Sequence, residues 1–242
     1  MPGAAHGGRI GMRRAIVSAI GLLLLAGCTH DPLARADLYP GLVAVEAPTG
    51  ELTRVMFSAA EAPARQGLLY VAMYDAAVAA QNAGLARGTR DGANVATRVG
   101  EVLYAIDPEV APAWPAKATG IVDVWAGSGY GLRRALRGMI EEITAALEDG
   151  AASAALRQNG PRAIRCAENT LTRADQAAAV GAGVLAAAPD ADLDAMLREL
   201  EDVATALNDG VPSPGDEGCG LKQAFRYLSE IAAYTAEGSW GA

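Results

Sequence analysis

Histidine is almost missing from this chain: His6 and His30 are the only two in 242 residues. With both in the first thirty positions, the rest of the sequence holds no base for a Ser-His-Asp or Cys-His pair. It holds no CxxCH haem attachment and no Cys/His zinc cluster of workable spacing. EF-hand and P-loop patterns are also missing, so neither a metal nor a cofactor is expected. Aromatic residues make up only 5%, with two phenylalanines, while alanine supplies 54 positions. A core built on large rings is thereby excluded, and close-packed helices with small side chains are favoured. Basic residues number 20 against 28 acidic ones, a net charge of -8. That balance argues against nucleic acid, whose binding rests on phosphate neutralisation, and against docking on anionic headgroups. No apolar run approaches the roughly 20 residues that a membrane-spanning helix needs.

The most informative stretch is Leu22 to Cys28, LLLLAGC, preceded by Arg9, Arg13 and Arg14 and by an apolar run from Ala15 to Ala26. A basic flank, a short apolar run and small residues before a cleavage point read as a secretory signal. The ending Leu25-Ala26-Gly27-Cys28 resembles the lipobox of bacterial lipoproteins. The resemblance covers residues 1–28 only. It implies that Cys28 is thioether-lipidated, that residues 1–27 are removed and that the new amino group is acylated. Palmitate-type chains would then anchor the protein to the membrane, facing the periplasm. Met12 is a plausible start, because MRRAIVSAIGLLLLAGC alone is a compact signal of this class. Arg13-Arg14 lacks the neighbours of a twin-arginine signal, which favours Sec export. Thr29 stands where the class in enteric bacteria uses Asp for inner-membrane retention, so the resemblance implies the outer membrane. Without residues 1–27 the chain keeps 17 basic and 28 acidic residues, near -11.

With Cys28 lipidated, Cys166 and Cys219 are the remaining thiols, and an even pair in an oxidising compartment reads as a disulfide. The alternative is two separate buried thiols. A bond would close a 54-residue loop, for which chain entropy gives roughly 4 kcal/mol.

The expected organisation is a signal peptide over 1–27, a lipidated cysteine and tether over 28–60, and a helical domain over 61–242. Turn residues such as Tyr39-Pro40-Gly41 and Pro48-Thr49-Gly50 support the tether. The fold class is all-α, a multi-helix bundle or irregular helical array with one disulfide. A first helix, about Ala64 to Ala83 and stopped by Gly84, is apolar nearly all round, which marks it as central. Asp75 lies inside it. An edge position paired with an arginine is favoured there over a buried carboxylate of raised pKa able to act as an acid or ligand contact. Amphipathic stripes follow over Asn94–Ile106 and Leu132–Leu147. Asn159-Gly160 then ends a short helix near Ala151–Gln158, Pro161 opens the next segment at N1, and Thr172 caps a helix over Arg173–Ala187. Leu193 to Leu207 forms a clean a/d-like seam behind Asp190 and Asp192. A Pro/Gly/acid loop, Val211–Gly220, leads to a last helix over Leu221–Glu237 with Leu221, Phe225, Leu228 and Ile231 on one face.

One stretch carries a chemical resemblance. Ile121 to Gly131, IVDVWAGSGYG, resembles the first motif of Rossmann-like methyltransferases, a strand ending in an acid and a Gly-rich turn. Trp125 occupies the place of that family's first glycine, and helix rather than alternating strand follows, so a Gly-rich turn between helices is expected instead. Acids such as Glu141, Glu142, Glu199, Glu201 and Asp202 fall on solvated helix faces. Two functions from different classes remain. The first is a binding, scaffolding or assembly role with an envelope protein as partner and no catalysis. The second is a periplasmic small-ligand-binding domain or carboxylate-dependent hydrolase, with a cleft near Asp75, Asp123 and the tryptophans Trp114, Trp125 and Trp240, which with Tyr130 are the aromatics available to line it.

Overall fold

The computed structural model describes residues 52–109, 111, 127–188 and 192–238, with side chains to residue 232. The chain divides into units 1–45 and 46–242, and every described residue lies in the second. Cys28, Asp123 and Trp125, and with them Trp114 and Trp240, fall outside the described residues.

The described residues form helices and no strands: α1 (Thr53–Met56), α2 (Leu68–Gly88), α3 (Gly92–Ile106), α4 (Leu132–Glu148), α5 (Ala154–Ala186), α6 (Leu193–Asp209) and α7 (Leu221–Gly238). The all-α array expected from composition is what forms. No described helix is long and apolar enough to cross a membrane. Packing begins earlier than residue 61: Leu52, Val55 and Ala59 are buried, so the expected tether is too long by its last residues.

Apolar side chains all round place α2 in the middle, where it packs on α3, α4, α6, α1 and α7. Its start is four residues later than the hydrophobic pattern implied. Ala64 and Arg65 adopt left-handed backbone (φ 53° and 55°), which interrupts helical hydrogen bonding. Its end is also later, because Gly84 stays helical and Ala86 beyond it is fully buried. Helix α6 follows its sequence signals closely. Asp192 caps it by accepting from the Ala195 N–H at 3.2 Å, and Gly210 at φ 75° ends it.

Helix α5 corrects the sequence reading. Where three segments were expected, one 33-residue helix runs through Asn159, Gly160 and Pro161. Pro161 removes one backbone donor. Packing compensates, since Leu156, Gly160, Ala163, Cys166 and Ala167 are all buried against neighbours that include α4. Thr172 caps nothing, as its hydroxyl donates back to Glu168 O at 3.1 Å.

One face of α5 grips the loop between α6 and α7. Cys166 pairs with Cys219, S–S 2.07 Å and Cα–Cα 5.1 Å, within the usual span for a disulfide. Asn169 donates to the carbonyls of Asp216 and Glu217, both at 2.9 Å. Arg173 donates to Cys219 O at 2.8 Å and Gly218 O at 3.0 Å. Arg162 binds Asp216 at 3.0 Å and lies over the Tyr227 ring, whose hydroxyl donates to the same carboxylate at 2.6 Å. Residues 162, 166, 169 and 173 recur at helical spacing, so a single stripe holds the loop and the start of α7. On α7 itself Leu221, Ala224, Leu228 and Ile231 face inward with Tyr227. Phe225, expected on that face, is 48% exposed.

Candidate functional site

The site begins with Asp75, which is fully buried in α2 and not at an edge. No arginine answers it among the described residues. Its partners come from the turn 53 residues on, which forms the Gly-rich connection into α4. The Ser128 backbone N–H donates to Asp75 Oδ1 at 2.6 Å, and the Ser128 hydroxyl donates to Oδ2 at 2.7 Å. The Gly131 backbone N–H also favours the charged form of the carboxylate. Burial pushes the Asp75 pKa up to about 6, against the pull of these three donors. The Ser128 hydroxyl oxygen in turn accepts from the Tyr130 N–H at 3.1 Å.

Glycine is required to bring the turn this close. Gly127 has φ 98°, and a Cβ there would sit 3.0 Å from Asp75 Oδ1 and 3.2 Å from Ala105. The turn therefore spends its donors on a carboxylate of the chain itself. That use explains the likeness to a methyltransferase loop without a nucleotide: the anion that the Gly-rich turn receives is Asp75.

Beyond Ser128 the turn presents Tyr130 and Gly131 to a cleft of about 670 Å³. α1 contributes Arg54, the end of α3 leads to Asp107 and Glu109, and α4 contributes Arg133, Arg134, Arg137 and Glu141. Asp75 does not line it. Of the residues expected at a cleft, the structure thus brings Tyr130 to one and places Asp75 beneath the turn.

The charges of the cleft are partly spent. Arg54 pairs with Glu61 and Glu142. Arg133 bridges Asp107 at 3.3 Å and Asp175 at 2.6 Å. The guanidinium of Arg134 lies 4.5 Å from the centroid of the Tyr130 ring, a cation–π contact that positions it without neutralising it. Arg137 and Glu141 have no ion pair among the described residues. Three arginines in the first two turns of α4 oppose the helix dipole, and no acid occupies its first turn. In the sequence this anomaly is visible as RRALR at 133–137, beside the amphipathic stripe of the core face.

A smaller, mainly apolar cleft of about 320 Å³ lies next to it, lined by Leu103, Ala178, Ala182 and Leu185 with Arg133 at its edge. Among the described residues no group of three or more His, Cys, Asp and Glu is placed to hold a metal ion. Buried Glu101 is bound by Arg98 at 2.8 Å, which also donates to Asn82 at 3.3 Å, an arrangement that ties α3 to α2. No protein-family model, curated protein or solved structure matches this chain.

Proposed function

We propose that this is a lipid-anchored cell-envelope protein that faces the periplasm, and that its helical domain acts by binding, as a partner or assembly component, rather than by turnover. The observation that carries the reading is the Leu25-Ala26-Gly27-Cys28 ending behind a basic flank and a twelve-residue apolar run. The pairing of Cys166 with Cys219 supports it, since such a bond persists in an oxidising compartment. Thr29 at the position after the cysteine supports the outer membrane over the inner. A single acyl chain holds a protein only marginally, whereas the three chains of the resembled class give stable attachment.

Expression in bacteria with labelled palmitate tests this. Label should enter the wild-type chain and stay with the outer-membrane fraction, and Cys28→Ala should abolish both. An unlabelled chain, or a distribution indifferent to Cys28→Ala, overturns the anchor. A defined catalytic turnover by the purified domain overturns the binding role.

A second reading, a small-ligand-binding domain, is favoured by one observation: the cleft beside Tyr130 keeps charged groups that have no ion pair among the described residues.

A further inference from the structure

The charges that line the cleft can be followed pair by pair. Four arginines and four acids face it. Arg54 and Arg133 are bound by acids, and these include Glu61 and Asp107 from the same lining. Two cations, Arg134 and Arg137, and two anions, Glu109 and Glu141, are left with no ion pair among the described residues. A cleft for a phosphate or a polyanion would carry a cationic surplus, because rim carboxylates repel such a ligand. Equal numbers of open charges instead complement a ligand that carries one charge of each sign.

The spacing narrows the class. Arg137 and Glu141 are one helical turn apart on α4, so their Cβ atoms lie about 5–6 Å apart on one face. The order Arg before Glu is the less favourable one for an intrahelical pair, which leaves both groups open to a third party. The carboxylate and ammonium of an α-amino acid are joined through one carbon, with N and C about 2.5 Å apart. They can therefore meet an arginine and a glutamate at this separation together. Arg134, held on the Tyr130 ring, supplies a second guanidinium on the carboxylate side.

We infer that this cleft binds an α-amino acid as its zwitterion, with the carboxylate at Arg134 and Arg137 and the ammonium at Glu141. The inference rests on the second reading above, a small-ligand-binding domain, and is independent of the lipid anchor.

Equilibrium dialysis of the purified full chain against a mixture of the standard amino acids, with mass-spectrometric readout, tests it. One or a few amino acids should be retained. Arg137→Gln and Glu141→Gln should each weaken retention at least about tenfold, as for hydrogen bonds to charged groups. Both positions are at the surface, and an unchanged melting temperature will verify folding. The N-acetyl and the amide forms of the retained amino acid, each lacking one charge, should both be lost. No retention, retention indifferent to both substitutions, or equal retention of either derivative would overturn the inference. The palmitate result would stand in each case.

Discussion

Asp75 should contribute a part of the domain's stability that falls as pH rises through the acid range. In the unfolded chain its pKa is the ordinary 3.8, and in the fold it is about 6. Between these values the folded state holds the proton more tightly, so the stability that the neutral carboxyl contributes is complete below pH 3.8 and is lost as pH passes 6. The full difference is about 3 kcal/mol, and about 2 kcal/mol of it falls between pH 4.5 and 7. Glu61 and Asp216 act oppositely, because hydrogen bonds to Glu61 from backbone and Arg54, and to Asp216 from Arg162 and Tyr227, hold both below the usual carboxylate range. The raw pH profile therefore mixes signs. Subtracting the profile of Asp75→Asn, which cannot titrate at that position, isolates the term. Urea unfolding of both proteins from pH 4.5 to 7 should show the wild type losing about 2 kcal/mol relative to the variant. A difference that is flat with pH, or that grows toward pH 7, would refute a buried carboxylate with a raised pKa.

Further consequences follow from the helices and the loop they hold. Reduction, or Cys219→Ser, should cost roughly 2–4 kcal/mol and loosen α7 first in hydrogen exchange; two free thiols in the unreduced mature protein would contradict it. Arg173→Met should cost about 1–3 kcal/mol, because it strips donors from the Gly218 and Cys219 carbonyls, and an unchanged melting temperature would show that those contacts are dispensable. Pro161→Ala should stabilise the protein, by up to about 3 kcal/mol, since a continuous α5 regains a hydrogen bond to the Arg157 carbonyl. Destabilisation would instead favour a helix that starts at Pro161. Gly127→Ala should cost about 1–3 kcal/mol for its left-handed backbone and the Asp75 contact, read by thermal unfolding.

The helical class and most helix positions were legible because their signals are local. Asp192 marks the start of α6 in the sequence as it does in the fold. The Gly-rich turn and a central α2 follow from the same local reading, whereas the Cys166–Cys219 pairing follows from the count of thiols left beside Cys28. Failures arose where distant packing decides. Asn159-Gly160-Pro161 carries turn chemistry, yet a buried face with Leu156 and Ala163 on either side keeps the helix intact. Phe225 fits an i, i+4 stripe with Leu221, but the inward stripe is centred on Ala224 and Leu228. An edge position with an arginine partner is the ordinary expectation for an acid in an apolar helix, yet Asp75 is fully buried. Its partner is a backbone turn 53 positions away, and no periodicity encodes such a contact. The arginines of α4 were visible, but their meaning depended on Tyr130 and on the end of α3 meeting them across a cleft.

The proposal of a membrane-anchored envelope protein depends on the chemistry of one residue, Cys28, and the intact mass of the protein isolated from bacterial membranes tests it most directly. The account predicts a mature chain beginning at Cys28 and carrying the added mass of three acyl chains, with Cys166 and Cys219 joined. A chain that retains residues preceding Cys28, or that carries Cys28 as a free thiol, would contradict it.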